Sequence, residues 1–310
     1  MNIRLILSGL IGFATLCAIS GPVGAQLFVT NPSTDTVAEY TTSGALVNPA
    51  LISGLDFTRG IAVSGGNLFV DYFSHGGTIG KYTTSGTPLN PALITGLNSL
   101  GRIAVSGSDL FVVDAELNTE LSSIGKYTTS GATVNPFLIT ELTPPLPAIA
   151  ASGDKLFVAN GGSVAEYTTS GVLVNPALIS GLRLALGIAV SEDKLFVVDE
   201  GEQLHHNGTI GQYTLSGMPV NAALISGLDT PAQIAVSGDD LFVTSIEGGT
   251  IGKYTTSGET VNASLISGLS SSTSIAVVSA SVPDVSSTWT LLLLGLTAMF
   301  GLTPLLRRPA

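Results

Sequence analysis

Short apolar runs alternate with Gly-, Ser- and Thr-rich segments along most of this chain. The run Leu-Phe-Val occurs six times, and each copy is followed by Tyr-Thr-Thr-Ser-Gly, in which Leu215 is the one substitution. Ile-Ala-Val or Ile-Ala-Ala then follows each tyrosine by 21 or 22 residues. The three series interleave with a spacing of 39 to 46 residues, which indicates one repetitive domain. The copies start at Leu27, Leu68, Leu110, Leu156, Leu195 and Leu241, at Tyr40, Tyr82, Tyr127, Tyr167, Tyr213 and Tyr254, and at Ile61, Ile103, Ile149, Ile188, Ile234 and Ile275.

One repeat divides into four predicted β-strands, separated by Gly-containing turns or by a longer loop. The first two strands are apolar on both faces, which suits a sheet that is packed between two other sheets. Units of about 40 residues with four strands are typical of propeller blades. We therefore predict an all-β fold, a six-bladed β-propeller of four-stranded blades. In residues 101–142 the predicted strands are Ile103–Ser106 (A), Leu110–Asp114 (B), Ile124–Thr128 (C) and Val134–Ile139 (D).

The segment from Gly187 to Tyr213 supports the same fold. It contains Gly-Ile-Ala-Val, then Leu-Phe-Val-Val-Asp, then Gly-Thr-Ile-Gly-Gln-Tyr, and it resembles the NHL-type propeller repeat without the basic residues usual in that repeat. The resemblance extends over residues 27–281 in all six units and implies a propeller scaffold.

The order of strands at the two ends predicts how the ring closes. The repeats begin with a B strand at Leu27 and end with an A strand at Ile275, so neither strand has its usual partner nearby in the sequence. Pairing Ile275–Val278 with the strand at Leu27 completes a sixth blade and leaves no open edge in the ring. We predict that residues 26–281 form this propeller domain.

Composition and charge exclude several functions for the predicted domain. Residues 26–281 contain 8 basic and 21 acidic side chains, a net charge of −13 without any cluster of Lys or Arg. Such a surface repels nucleic acid, so we expect no nucleic-acid partner. The single cysteine, Cys17, precedes the domain, which therefore has no disulfide, thiolate metal site or cysteine nucleophile.

The first 25 residues have the layout of a secretory signal peptide. Arg4 precedes the apolar stretch Leu5–Ile19, and small residues lead to Ala25. The apolar stretch is too short for a comfortable membrane span. We expect cleavage after Ala25 and export of the remainder.

Residues 282–310 form a second targeting segment. A Val-Pro-Asp motif is followed by a Ser/Thr spacer that ends in Trp289 and by an apolar segment to Leu306. The stretch Val285–Leu306 is long enough for a transmembrane helix, and the arginine pair beyond it suits the cytoplasmic side. This order resembles the PEP-CTERM sorting signal, with Asp284 in place of the usual Glu and Val285 in place of the second Pro. The resemblance implies a Gram-negative bacterium, processing by an exosortase-type membrane protease, and a location at the cell envelope or outside the cell; a permanent membrane anchor is the alternative. The sorting residues are Val282, Pro283, Asp284, Trp289, Arg307 and Arg308.

Most length variation among the repeats lies in one connection. The distance from the strand B leucine to the strand C tyrosine is 13, 14, 17, 11, 18 and 13 residues, whereas the distance from strand A to strand B is constant at 7. Alternate turns of a β-meander lie on the same side, so the B–C loops share a face with the D–A connections. Variable loops on a regular scaffold are the usual place for recognition.

Oxygen-bearing side chains end strand B in several copies. Four of them can hold Ca²⁺ if they converge on the mouth of the central channel, or they can serve as turn residues at strand ends. Gluconolactonase-type six-bladed propellers bind a catalytic divalent metal at this mouth, which gives an enzyme hypothesis by analogy of fold. The candidate metal ligands are Asn31, Asp114, Asn160 and Asp199, and further polar residues expected on this face are Asp71, Glu116, Glu200, Glu202 and His205.

Two hypotheses about function follow from these observations. The first is a non-enzymatic binding or structural protein of the cell surface or extracellular matrix, with extracellular polysaccharide or an envelope component as its partner. Because the variable loops are rich in carboxylates, a cationic or Ca²⁺-bridged ligand is expected. The alternative is a secreted metal-dependent hydrolase or lyase with an acidic site at the channel mouth.

Overall fold

The computed structural model describes residues 24–73, 76–99, 101–115, 121–143, 147–201, 207–269 and 274–279. Within these ranges the chain forms 24 β-strands in six antiparallel sheets of four strands each. Ala25–Ser279 form one compact unit. No helix within the described ranges has the length and apolarity needed to cross a membrane. The predicted all-β architecture of six four-stranded blades is confirmed, while the sorting tail and its helix lie outside the described residues.

Each blade has the strand order A, B, C, D from the centre of the ring outward, and the blades are numbered along the chain. Blade 1 contains β1 (Gln26–Asn31), β2 (Thr36–Thr41) and β3 (Leu46–Ser53), and blade 2 contains β4 (Ile61–Ser64), β5 (Asn67–Phe73), β6 (Gly77–Thr83) and β7 (Pro88–Leu97). Blade 3 contains β8 (Ile103–Ser106), β9 (Asp109–Ala115), β10 (Ser122–Thr128) and β11 (Thr133–Leu142), and blade 4 contains β12 (Ala148–Ser152), β13 (Lys155–Asn160), β14 (Ser163–Thr168) and β15 (Leu173–Ser180). Blade 5 contains β16 (Ala185–Ser191), β17 (Lys194–Asp199), β18 (Gly208–Thr214) and β19 (Pro219–Leu228), blade 6 contains β20 (Pro231–Ser237), β21 (Asp240–Ser245), β22 (Thr250–Thr255) and β23 (Thr260–Ile266), and β24 (Ile275–Val278) returns to blade 1.

The ring is closed by the two ends of the propeller chain. Strand β24 pairs antiparallel with β1, placing Ile275 opposite Val29 and Val278 opposite Gln26. The closure continues beyond the strand, since Thr30 donates its backbone N–H to the carbonyl of Ser274 at 3.0 Å. The closure predicted from the strand order is confirmed.

The hydrophobic core lies between the blades. Apolar side chains of strands A, B and C pack against the next blade, so that six clusters fill the six interfaces. The phenylalanine of each Leu-Phe-Val run is at most 1% exposed. Strands A and B are therefore apolar on both faces because each face is covered by a neighbouring blade.

Side chains of strand C also connect neighbouring blades by hydrogen bonds. The residue before the strand C tyrosine donates to a backbone carbonyl in the next blade in blades 2, 3, 5 and 6. Glutamate occupies this position in blades 1 and 4, as Glu39 and Glu166. The bonds join Lys81 Nζ to Thr129 O at 3.1 Å, Lys126 Nζ to Thr169 O at 3.0 Å, Gln212 Nε2 to Thr256 O at 3.2 Å and Lys253 Nζ to Thr42 O at 3.5 Å.

The D strands are the outer edges of the blades, as the Asn-Pro pairs in four of them predict. Asn48 Oδ1 accepts the backbone N–H of Ala50 at 3.1 Å, and the pairing of β2 with β3 shifts register next to this asparagine. Such bulges twist an edge strand away from its neighbours. They protect an exposed edge from pairing with another chain.

Candidate functional site

The two faces of the ring differ in regularity. On the turn face, which carries the A–B and C–D turns, all six C–D turns contain the same hydrogen bond: the glycine of Tyr-Thr-Thr-Ser-Gly donates its backbone N–H to the first threonine's carbonyl at 2.9 Å. The glycine is in the left-handed region, with φ of 88° at Gly44. The variable-loop face carries the B–C loops and D–A connections, and here each blade is built differently.

Polar side chains at the end of strand B hold the D–A connection that leads into the same blade. Asp114 Oδ1 accepts the backbone N–H groups of Asn98 at 2.9 Å and Ser99 at 3.0 Å. Asp199 Oδ1 accepts those of Leu184 at 2.9 Å and Arg183 at 3.2 Å. These two predicted metal ligands therefore orient loops, which is the role of a turn residue at a strand end.

The other two predicted metal ligands have different surroundings. Asn31 Oδ1 accepts the backbone N–H of Ser33 in its own B–C loop at 3.2 Å. Asn160 Oδ1 is buried and has no hydrogen-bond partner among the described residues. The four residues lie in blades 1, 3, 4 and 5, and no group of three or more His, Cys, Asp or Glu side chains placed for a metal occurs within the described ranges. Calcium binding by these four residues stays a prediction.

The further polar residues expected on the variable-loop face have unequal positions. Asp71 is fully buried, and Glu200 is 6% exposed, so neither presents an open carboxylate to solvent. Asp71 lies within β5, where its Oδ1 faces the D–A connection of its own blade, and Glu200 directly follows β17. Glu116, Glu202 and His205 lie outside the described residues, as do the sorting residues Val282, Pro283, Asp284, Trp289, Arg307 and Arg308.

Asp71 is the centre of a buried charged group in blade 2. Its Oδ1 accepts the backbone N–H groups of Arg59, at 2.7 Å, and of Gly60, and the hydroxyl of Thr58 lies at 3.4 Å. Burial raises the pKa of Asp71 to about 7, although these hydrogen bonds and the charge of Arg59 act in the opposite direction. Burial therefore favours the protonated form of this carboxyl.

A second arginine approaches Asp71 from blade 3. Burial of its guanidinium lowers the pKa of Arg102 to about 10, and the nearby Asp71 carboxylate opposes this shift. Arg102 is only half-buried as a residue, but its Nη1 is inaccessible to solvent and has no hydrogen-bond partner among the described residues. The same holds for Arg59 Nε and Asp71 Oδ2. Arg59 and Arg102 thus bring two guanidinium groups close to one buried carboxyl.

Aromatic side chains that the sequence analysis did not single out lie beside this group. Phe57, Arg59, Phe73 and Ser99 line a cavity of about 200 Å³ on the variable-loop face. The D–A connections differ in sequence from blade to blade, and two of them supply Phe57, Arg59 and Ser99. Nothing in the repeat pattern predicts that these two D–A connections and the end of β5, which carries Phe73, lie next to one another.

Comparison with known proteins supports the fold. No protein-family model and no curated protein matches this sequence. A chain in the nidogen/laminin complex is 16% identical, with a TM-score of 0.66 over 82% of this chain and 98% of that chain. TolB from Acinetobacter baumannii is 14% identical, with a TM-score of 0.59 over 82% of this chain and 66% of that chain. A gluconolactonase from Xanthomonas campestris is 13% identical, with a TM-score of 0.52 over 70% of this chain and 83% of that chain. At these identities the likeness shows the β-propeller fold alone, which binding proteins and enzymes share.

Proposed function

We propose that this protein is an exported, non-enzymatic binding protein that recognises an extracellular polysaccharide through its variable-loop face. The signal peptide in residues 1–25 and the sorting tail in residues 282–310 would deliver it to the cell envelope or extracellular matrix, with an exosortase-type protease as processing partner. The basis for this delivery is the sequence of the two ends.

One observation carries the proposal: buried or capping side chains fix the D–A connections on the variable-loop face. Asp71, Asp114 and Asp199 each hold a D–A connection by accepting two or more backbone N–H groups. The turn face repeats one hydrogen bond in every blade. Differing loops held rigidly on a uniform scaffold are the arrangement of a recognition surface, because preorganised loops lose little entropy on binding.

The alternative of a metal-dependent hydrolase or lyase requires carboxylates available to a metal. Asp114 and Asp199 are the two charged members of the predicted metal site. Each accepts backbone N–H groups of the D–A connection that leads into its own blade. These contacts favour the binding hypothesis over the enzyme. Metal-dependent turnover that is abolished by Asp114→Ala or Asp199→Ala would favour the enzyme instead.

Shortening the two longest B–C loops tests the binding face. Blade 4 closes with Gly161-Gly162 between Asn160 and Ser163, which pair with each other. Residues 115–122 and 200–208 can be replaced by Gly-Gly, because Asp114 pairs with Ser123 and Asp199 with Thr209 in the same way. Both capping aspartates stay in place, so we expect nearly the same melting temperature.

Binding of the shortened protein to extracellular polymer from the native host, measured by co-sedimentation, should fall severalfold. Loops of the original length made only of Gly and Ser are the control for loop length. Equal binding by the parent and shortened proteins would place the recognition surface elsewhere.

Processing of the tail has its own test. We expect the exported protein to start near Gln26 and to lack the apolar segment that ends at Leu306. Intact-mass measurement on protein isolated from the native host decides this. A species that still ends at Ala310 would make the tail a permanent anchor.

A further inference from the structure

The cavity between blades 2 and 3 has a lining unlike that of the rest of the variable-loop face. Phe57 and Phe73 expose 50% and 43% of their surface beside it. The Arg59 guanidinium lies 4.7 Å from the centroid of the Phe57 ring, and Ser99 comes from the next D–A connection. Two aromatic rings, a cation and a serine thus meet in about 200 Å³.

The backbone around this cavity is held in place. Phe57 has φ of 54°, a left-handed conformation that is rare for a bulky side chain. Its N–H donates to Asp35 Oδ1 at 3.1 Å, and the N–H of Phe73 donates to the carbonyl of Asp56 at 2.6 Å. A strained conformation that neighbouring contacts fix in this way often marks a functional position. The strain here presents an aromatic ring to solvent.

Among the described residues that line the cavity, the charged side chain is basic, although the carboxylates of Asp35 and Asp114 accept the backbone N–H groups of Phe57 and Ser99 beside it. Residues 26–281 carry a net charge of −13, yet the charged side chain lining this cavity is Arg59. Its Nε is buried and has no partner among the described residues, and Arg102 adds a second positive charge beside Asp71. Because Nε itself is closed to solvent, a ligand in the cavity would supply an anionic oxygen to the terminal N–H groups of the same guanidinium.

We propose that this cavity binds one uronate residue of an acidic polysaccharide, an inference that rests on the proposed function. The Phe57 and Phe73 rings pack against the C–H face of the sugar, Arg59 receives the carboxylate, and the Ser99 hydroxyl bonds a sugar hydroxyl. The cavity is smaller than the roughly 300–1,000 Å³ of sites for drug-sized ligands, which suits a single sugar ring. The proposed ligand is therefore an anion at this cavity, whereas the carboxylate-rich B–C loops lead us to expect a cationic or Ca²⁺-bridged ligand.

Matched saccharides test the carboxylate. The full chain, purified in mild detergent, is titrated calorimetrically with β-1,4-linked mannotriuronate and with β-1,4-linked mannotriose, which differ only in the carboxylates. We expect the neutral sugar to bind at least about tenfold more weakly, as loss of a charge-assisted hydrogen bond requires. Equal affinities would overturn the proposal. A third titration with free mannuronate distinguishes a site for the free acid, if it binds as tightly as the trisaccharide, from a site for the polymer.

Matched variants test the residues. Arg59→Gln should weaken mannotriuronate binding about tenfold or more, whereas Arg183→Gln, which removes the same charge from the D–A connection of blade 5, should have little effect. Equal losses in both variants would mean general attraction by charge and would overturn the site. Phe57→Gly removes the ring at a φ that glycine prefers, so binding should fall without loss of melting temperature. Unchanged binding in Arg59→Gln or Phe57→Gly would also overturn the site.

The outcome is separable from that of the proposed function. If the parent protein co-sediments with native extracellular polymer but shows no heat with mannotriuronate, the uronate site is wrong and the proposed function stands. If it binds mannotriuronate through Arg59 while shortening the B–C loops changes nothing, the site stands and the role of those loops is wrong.

Discussion

At the scale of single residues, Asp71 shows how the ring uses a buried polar group. Thr30 and Thr244 occupy the equivalent place in blades 1 and 6, and their hydroxyls accept the backbone N–H groups of Ser274 and Gln233, both at 2.9 Å. Asp71 makes the same kind of contact with a charged group. The hydrogen bonds satisfy Oδ1, but complete burial still favours the protonated carboxyl.

The pH dependence of stability should reveal this carboxyl. Its folded-state pKa of about 7 lies above the ordinary value of 3.8, so the folded protein binds more protons than the unfolded chain between these values. The stabilisation is complete below pH 3.8 and is lost as the pH rises toward 7, with a total of about 4 kcal/mol. Asp71→Asn keeps an acceptor and removes the titration. The melting temperature of the parent should therefore fall relative to that of the variant across this window; parallel curves would show that Asp71 titrates normally.

At the scale of elements, strand C exists in two versions. In blades 2, 3, 5 and 6 it contains Gly-Lys-Tyr or Gly-Gln-Tyr, and its tyrosine is 5–6% exposed. In blades 1 and 4 it contains Ala-Glu-Tyr, and the tyrosine is half-buried. The glycine explains the difference, because a Cβ on Gly125 would lie 2.8 Å from Cε2 of Tyr127. The aromatic ring of the tyrosine packs over its own strand only where the residue two positions before it has no side chain.

Substitution of this glycine should therefore displace a tyrosine. Gly125→Ala is expected to lower the free energy of unfolding by about 1–3 kcal/mol, as overpacking does. Urea unfolding measures the loss, and near-UV circular dichroism reports the displaced ring. Ala165→Gly in blade 4 is the control and should cost no more than about 1 kcal/mol. Equal small effects in the two variants would mean that the tyrosine packs independently of the glycine.

The strands and their order were predictable because the same pattern of apolar runs and turn residues occurs six times in the sequence. Comparison of the copies also indicates which charged residues contact each other. Asp109 and Lys126 form an ion pair at 2.8 Å in blade 3, and the residues at the same two positions in blade 4, Lys155 and Glu166, form an ion pair at 2.7 Å with the charges exchanged. The cavity was not predictable. Phe57 and Ser99 lie in D–A connections whose sequences differ from those of the other repeats, and their proximity depends on backbone conformations that no periodicity encodes.

At the scale of the whole molecule, stability depends on joining residues that are far apart in the sequence. The contacts of β24 with β1 cover Leu27 and Val29 and bury Ile275 and Ala276. Thr30 and Ser274, 244 residues apart, exchange further hydrogen bonds. Without these contacts, blade 1 would have three strands and an open inner edge.

Removal of the closing strand should therefore destabilise the entire ring. Deletion of residues 275–281 is expected to cost several kcal/mol through lost burial and pairing, which corresponds to a fall in melting temperature of roughly 10 °C or more. Differential scanning calorimetry provides the measurement. Deletion of residues 282–310, at the same end of the chain, is the control and should leave the transition in place. If both deletions melt like the parent, β24 contributes nothing to closure.

The pattern of hydrogen bonds between neighbouring blades also indicates how the repeats arose. Lys81, Lys126, Gln212 and Lys253 connect blades 2, 3 and 4 with one another and blades 5, 6 and 1 with one another. Glu39 and Glu166, which when ionised can only accept, occupy this position at the two remaining interfaces, on opposite sides of the ring. Blade 1 matches blade 4 in its Ala-Glu-Tyr strand, as expected if a three-blade segment was duplicated in tandem. The ring would then have two seams inherited from that event, and local opening should begin there.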